Sequence, residues 1–563
     1  MLIINYIKNI DFIIYIMKPS SFCALCTSNC AFELVGLLLS LSIYHPNENI
    51  YIISDSETKK IIENITPQPR LNIHWIVELD KYHGLNRFKM EQQNIFGTFL
   101  KNKMKIMREA LKYNKDVLLL DTNIIITDVI DDIDGNKKVG LSRQYTNEEF
   151  IQKTGKYNAG MLWTNSIDVV DNWENIIDND NHCPEQINMI ELTKHDYFEF
   201  PENYNFHCEN IMNIHEPNEK IASYITSKPN DALYYKNKVI KCIHTHFHEE
   251  KLEFLNNVLI NHMVNAKMYK ILAIVFRVIN KCWVFKIPRQ PANTFWGKHD
   301  NSSYRELAVL LSIKNEDLKI KYIDDVKDSR HCWIEPNILT YDRPTLQWLN
   351  EEFLNASLVL LGNGDVEKEG KEITKHFPDI IVKPWIFWPR RAMVLEKVLN
   401  ENGIKQYHER NIESIFIGNI ENDVQDKYRN NTSWEEALSE YHCTKGHKHK
   451  FTHSEFVMKL RDSKYGLCLR GYGSKCHREV ELMAFGTIPI VTNEVCVESY
   501  MEPLKENVHY LIANSPDELK EKIENNSKQQ WETMSKECYE WYQRNVDSKQ
   551  AWNTMISHIL YDN

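Results

Sequence analysis

The 563-residue chain has no long apolar run. Its apolar N-terminal stretch, MLIINYIKNIDFIIYIM, is broken by Lys8 and Asp11, and its longest clean run is six residues. A membrane-spanning helix needs about 20. That stretch also lacks a charged start and a small-residue cleavage site, so no signal peptide is expected. A second stretch, YKILAIVFRVINKCWVF at 269–285, is interrupted by Arg277 and Lys281. It fits a helix lying against protein or in a membrane interface better than a span. An excess of positive charge is also missing. The net charge is -11, which argues against a nucleic-acid partner. The thirteen cysteines are odd in number and have no framework spacing. A disulfide scaffold is thereby excluded, and a reducing compartment with buried free thiols is expected. The expected location is cytoplasmic, with peripheral membrane contact through 269–285 kept as an alternative. No internal repeat is visible.

The composition that remains is that of an ordinary globular protein, 43% hydrophobic and 26% charged. At this length a single core does not suffice, and three or four domain-sized units are expected. Strand and helix patterns alternate in the first half. FCALCT reads as a strand, CAFELVGLLLSLSIY as a helix, NIYIISD and NIHWIVEL as strands, FLKNKMKIMREALKY as a helix and DVLLLD as the strand after it. That alternation predicts a mostly parallel sheet, with ligands outside the carboxyl ends of its strands. Asp55 and Asp121 both fall at such ends, so both are expected to face one crevice. A long amphipathic helical pattern covers 251–287, and the prolines and small polar residues of 288–303 read as a linker. A second α/β series follows: LKIKYID, ASLVLLGNG, DIIVKPWIF and ESIFIGNI. Cuts are expected near 290 and near 410.

The segment DVLLLDTNIIITD, Asp116 to Asp128, places an acid in the middle of apolar residues. An unpaired carboxylate there is costly. Oxygens grouped at a strand end suit a hard divalent cation that a nucleoside diphosphate completes, and such a cation neutralises a leaving diphosphate. Asn123 keeps an oxygen but brings no charge. The plain alternative for Asp121 is a capping acid.

Four segments in order, DVLLLDTNIII, KYNAGMLWTN (156–165), EQINMIE (185–191) and CIHTHF (242–247), resemble GT-A glycosyltransferases of the nucleotide-diphospho-sugar type over 18–250. The resemblance implies Asp121 and Asn123 as the metal-side pair, with His244 or His246 as a third ligand to Mn2+ or Mg2+. It implies Asn158 and Gln186 at the donor sugar or its acceptor, and Lys103 or Lys105 at the phosphates. Asn123 departs from the family's Asp-x-Asp pattern, and Glu185 stands where Asp is usual.

In the second half, RGYGSKCHREVELMAFGTIPIV combines a glycine loop with a helix start, an arrangement suited to phosphate. Gly471, Gly473 and Ser474 form the loop. Lys475 and Arg478 add charge, and Glu481 lies where ribose hydroxyls would. The segment is similar to exostosin-like GT-B transferases, whose usual first Glu of a pair is replaced by Gly473. The alternative is a loop that only packs a sheet against its helix. WIFWPRR (385–391) reads as a sugar-stacking rim or a buried Trp pair. HCTKGHKHKFTH (442–453) is irregular and lysine-rich, which argues against a structural zinc site and leaves a solvated loop or a basic loop facing phosphate or acceptor. CALCTSNC reads as small buried residues at a nucleotide-binding edge.

The fold expected from these resemblances is α/β: a GT-A-like Rossmann-type domain at 18–250, an amphipathic helix and linker at 251–290, and a compact GT-B-like double Rossmann module. That module comprises a first subdomain at 291–410 and a nucleotide-sugar-binding, exostosin-like subdomain at 411–563. The implied activity is a two-step transfer of sugars from donors such as UDP-sugars to a glycan or glycoprotein acceptor. Alternatives are one active half beside a degenerate one, the first half being suspect through Asn123, and a glycan-binding or assembly protein without catalysis. A nucleotidyltransferase would carry an N-terminal glycine-rich basic loop, which CTSNC is not.

Overall fold

The computed structural model describes residues 16–177, 183–214, 216–229, 232–288, 301–323, 331–341, 356–362, 364–420, 426–429, 433–444, 450–471 and 473–562. The chain divides into two compact units, 1–281 and 282–563. Most of MLIINYIKNIDFIIYIM, residues 289–300 of the 288–303 stretch and 445–449 of the histidine-rich stretch lie outside the described residues.

In the first unit the expected strands form in sequence: β1 (Ser21–Cys26), β2 (Asn49–Ser54), β3 (Asn72–Val77) and β4 (Val117–Leu120). Between them lie α1 (Ala31–Tyr44), α2 (Ser56–Glu63) and α3 (Asn102–Leu111). The short strand β5 (Ile124–Ile126) follows, then β6 (Val139–Arg143), β7 (Tyr157–Thr164), β8 (Tyr197–Phe200), β9 (Phe206–His207) and β10 (Cys242–His244). A seven-stranded sheet has the order β8-β6-β7-β4-β1-β2-β3. Only β7 runs antiparallel to its neighbours, β4 and β6. All eight residues of β7 are buried, as are all four of β4. A strand covered on both faces reads as a near-continuous apolar run, which is why these two, Asn158 and Thr164 apart, lack the alternation of an exposed strand. A three-stranded sheet, β9-β10-β5, stands beside it. There Ile124 pairs with His244, and His244 with His207.

Helix α1 is almost wholly buried, and Gly36 explains how it sits so deep. A Cβ there would meet Ile125 at 2.6 Å and Val278 at 2.7 Å. Val278 belongs to α5 (Tyr269–Asn280), which follows α4 (Glu253–Asn265). No residue of α5 is exposed. Part of the apolar face of this helix therefore packs on α1. It ends at Lys281, whose φ of 58° is the left-handed conformation common after a helix. Among the described residues no helix is long and apolar enough to cross a membrane.

The second unit begins directly with β11 (Trp283–Pro288), ahead of the expected linker. Then come α6 (Asn301–Lys314), β12 (Leu318–Ile323), β13 (His331–Ile334), β14 (Ile338–Tyr341), β15 (Leu358–Leu361) and β16 (Ile381–Pro384). These strands form a six-stranded sheet, β12-β11-β13-β14-β15-β16, in which β13 runs antiparallel to both neighbours. The second sheet is built from β17 (Ile412–Asn419), β18 (Glu440–Thr444), β19 (Ser463–Cys468), β20 (Ile488–Val491) and β21 (Leu511–Ile512), with α7 (His477–Met483) between β19 and β20. Its order is β18-β17-β19-β20-β21, all parallel. The last helix, α8 (Ser548–Tyr561), returns to the first sheet. Asn315 donates to the Ser548 carbonyl at 2.9 Å, and Lys383 to that of Asp562 at 2.6 Å. The C-terminal residues therefore complete the fold around 301–384 rather than belonging to the 411–563 segment alone. Trp385 and Trp388 form a buried pair, rings 5.5 Å apart, and not a sugar-stacking rim.

Candidate functional site

Strand order reverses between β1 and β4, because β2 and β3 extend the sheet on one side of β1 and β4 joins it on the other. At such a switch point the loops leaving the two strands part and open a crevice. Here the crevice is a cleft of about 920 Å³. Cys26 at the end of β1 and Thr27 after it, with Asp121, Thr122 and Asn123 after β4, line it. Asp55 does not reach it. Its carboxylate is buried, accepting from the Thr58 N–H at 2.8 Å as the cap of α2 and from the Ser28 N–H at 2.9 Å. The strand-end position of Asp55 thus serves a helix start, a common use of Asp that strand pattern alone does not separate from a ligand.

Asp121 is held by a cation. The Lys103 amine is buried, 2.8 Å from Asp121 Oδ1 and 3.7 Å from Glu185 Oε1, and it donates to the Ala159 carbonyl at 3.2 Å. Burial alone would weaken its hold on a proton, but the two carboxylates outweigh burial and raise it. The other lysine of this helix, Lys105, is exposed and pairs with Glu78. The Asp121 N–H donates to the Gly160 carbonyl at 2.8 Å. A Cβ on Gly160 would lie 2.5 Å from His244 Cε1, 2.6 Å from Asp121 Oδ2 and 2.9 Å from Asn158 Oδ1. Gly160 is therefore the floor on which these three side chains converge.

Amides continue the network. Asn158 Oδ1 accepts from the Gly160 N–H at 3.0 Å and from Asn205 at 3.1 Å. Asn205 Oδ1 faces His244 Nδ1 at 3.1 Å. Gln186 accepts from the Ala159 N–H at 3.1 Å and donates to the Thr154 carbonyl at 2.9 Å. Burial drives the His244 proton affinity well down, and His207, its ring 4.2 Å away, is lowered to about 4, also chiefly by burial. Both imidazoles are therefore neutral near pH 7.

Asn123 points the other way. Its Nδ2 is 3.1 Å from His246 Nε2, and His246 Nδ1 is 2.6 Å from Glu33 Oε1. Burial opposes a charged imidazole there, yet the Glu33 carboxylate wins and raises the His246 proton affinity. Helix α4 fixes this loop. Thr245 donates to Asn256 Oδ1 at 2.8 Å, and Asn256 donates to the His246 carbonyl at 3.0 Å. His248 lies 4.0 Å from Glu33.

The cleft thus gathers Asp121, Asn123, His244, His246, Lys103, Asn158 and Gln186, and leaves Lys105 outside. Sequence reasoning missed Glu33, Asn205, His207 and His248. Glu33 carried a faint signal, an acid in the first turn of an otherwise apolar helix. A hard cation needs charged oxygen ligands. Lys103 pairs with Asp121 Oδ1 and Asn205 faces His244 Nδ1, so these contacts occupy one oxygen of the acid and one ring nitrogen of the histidine and leave Asp121 Oδ2 and His244 Nε2 outside them.

The glycine-rich segment of the second unit is differently employed. Lys475 is buried, donates to the carbonyls of Gly362 (2.9 Å) and Ser499, and lies over the Tyr500 ring at 4.4 Å. Burial lowers it to about 8. Arg478 donates to the Ile417 carbonyl and lies over Phe416 at 4.6 Å. Glu481 accepts from the Arg390 N–H at 2.9 Å. Ser474 and Gly471 are buried, and Gly473 is half-buried. In this structure the three charged side chains expected at phosphates and ribose contact backbone and rings inside the fold.

No protein-family model matches the chain, and no curated protein matches it. Among solved structures it is similar to mouse xyloside xylosyltransferase 1 in its apo form, at 11% identity over 40% of this chain and 98% of that one, with a TM-score of 0.27. It is similar to the apo bifunctional glycosyltransferase WbbM at 13% identity, over 46% of this chain and 52% of that one, with a TM-score of 0.27. It is also similar to the glycosyltransferase GlyE of Streptococcus pneumoniae at 10% identity, over 90% of this chain and 98% of that one, with a TM-score of 0.26.

Proposed function

We propose that this chain is a glycosyltransferase whose first unit binds a nucleotide-diphosphate sugar, of the UDP-sugar kind, in the cleft between β1 and β4. The sugar passes to a hydroxyl of a glycan or glycoprotein acceptor. The observation that carries the reading is the cleft itself. It opens at the switch point of an α/β sheet, where nucleotides bind. Its volume of about 920 Å³ falls in the upper part of the ~300–1,000 Å³ range of small-molecule sites. The amides of Asn158 and Gln186 line it, and amides match the donor and acceptor pattern of sugar hydroxyls. Arg87 and Lys153, which also line it, supply charge for a diphosphate.

In the transfer the acceptor oxygen bonds to the anomeric carbon, and the bond from that carbon to the diphosphate oxygen breaks. The acceptor's proton goes to a carboxylate. Besides Asp121 the cleft is lined by the carboxylates of Glu33, Glu185 and Glu209, of which His246 pairs with Glu33 and Lys103 with Glu185. Lys103 holds Asp121 and Glu185 in place, a positioning role. The second unit is read as a further transferase-type α/β module, in which Lys475 and Arg478 support the fold. Release of nucleoside diphosphate from a panel of nucleotide sugars, by the wild-type chain and by Gly160→Ala, tests the proposal.

A further inference from the structure

Glu33 and His246 line the cleft, and with His248 beside them they form a group of one carboxylate and two imidazoles that the Asp121 network does not use. Glu33, His246 and His248 each offer a ligand atom, and these atoms lie within 4.8 Å of one another. Glu33 Oε1 is 2.6 Å from His246 Nδ1 and 4.0 Å from His248 Nδ1. Around a zinc-like ion, bonds of about 2.0–2.2 Å bring ligand atoms to within 3–4 Å of one another. The set brackets that spacing, and His248, 60% exposed at its side chain, is free to swing inward. Glu33 is fixed in the first turn of a buried helix, and His246 by the α4 contacts with its loop.

We infer that Glu33, His246 and His248 form a binding site for a borderline divalent transition ion, separate from Asp121, with Asn123 as the outer partner that orients His246. The chemistry selects the ion class. Two imidazoles and one carboxylate suit zinc, cobalt or nickel rather than magnesium, which takes oxygen ligands. Three protein ligands leave a coordination position open. Asn123 suits the outer role because an amide can turn either end to the ring. Its Nδ2 faces His246 Nε2 at 3.1 Å, and His246 Nδ1 lies 2.6 Å from Glu33 Oε1. With an ion on Nδ1 the ring proton moves to Nε2, and the amide oxygen turns to accept it. Partners of this kind fix the tautomer of a ligating histidine. Asn123, a weak ligand in a hard-cation site, thereby has a function of its own. The inference concerns the free protein and does not depend on the transfer reading.

The test is visible absorption of Co2+ titrated into the full chain without nucleotide. Wild type is expected to show saturable d–d bands that Zn2+ displaces and millimolar Mg2+ does not. Glu33→Gln and His248→Ala should each weaken Co2+ by more than about tenfold. His248 is exposed, so His248→Ala keeps the fold even where Glu33→Gln disturbs it. Asp121→Asn should leave the bands unchanged. The inference is overturned if wild type shows no such bands, if they persist in His248→Ala at unchanged affinity, or if Asp121→Asn removes them.

Discussion

Lys103 is the single cation between two carboxylates, and its removal exposes what it does. Lys103→Met leaves Asp121 and Glu185 facing each other without a counter-charge. The cost of breaking a buried pair is about 3–5 kcal/mol. The low end applies here because Asp121 is 31% exposed. Urea unfolding should show that loss, and adding Asp121→Asn and Glu185→Gln should restore part of it. Full stability in the single variant would contradict the pairing. Asp121 stood out in the sequence, since an acid in an apolar run is costly without a partner, whereas Lys103 entered only through the family resemblance, beside Lys105 and as a phosphate contact. Their mutual pairing was not legible, because it depends on which face of α3 turns toward β4.

A second residue sets a pH dependence. His45, 3% exposed, accepts the Ile130 N–H on Nε2 at 3.0 Å. Burial lowers it from 6.5 to about 4, with Lys18 lowering it further and Asp128 opposing. The fold holds the neutral ring, so its contribution is complete above pH 6.5 and is lost as pH falls toward 4. Within that window the slope approaches about 1.4 kcal/mol per pH unit for one proton. His45→Gln keeps an acceptor that does not titrate. The difference in unfolding free energy between the two proteins should therefore change across pH 6.5 to 4 and be flat above it. A constant difference would remove His45 from the account.

Among elements, β7 decides the shape of the cleft. In the sequence KYNAGMLWTN reads as a strand through its resemblance to the family's FNAG segment, and the convergence of side chains on Gly160 was not legible there. The antiparallel direction of β7 was not legible either, because a buried strand has the same pattern in either direction. Gly160→Ala places a methyl against His244 and Asp121, at 2.5 and 2.6 Å. Overpacking of this kind costs about 1–3 kcal/mol, so the chain still folds while the convergence of Asp121, His244 and Asn158 is lost. In the second unit the glycine loop read correctly as strand, loop and helix. The inward turn of Lys475 and Arg478 was hidden, since a buried and a ligand-facing cation look alike in a sequence.

For the whole molecule, the break between Lys281 and Cys282 makes each unit a separate core. Fragments 1–281 and 282–563 should each express as folded protein with its own cooperative unfolding transition. A cut at 290 should fail for the second unit, because it removes β11, which bonds to both β12 and β13 in its sheet. Two folded fragments from the 290 cut would contradict this boundary. Composition and alternation made two α/β halves legible. The boundary itself was not, because WVFKIP continues the apolar pattern of the helix before it.

The central claim is that the β1–β4 cleft takes a nucleotide-sugar donor. The most direct measurement is nucleoside diphosphate release from a panel of nucleotide sugars, with circular dichroism run alongside to report folding. Wild type should turn over at least one donor, and Gly160→Ala, folded, should turn over none. A wild-type chain inactive toward every donor, or Gly160→Ala at wild-type rates, would contradict the claim.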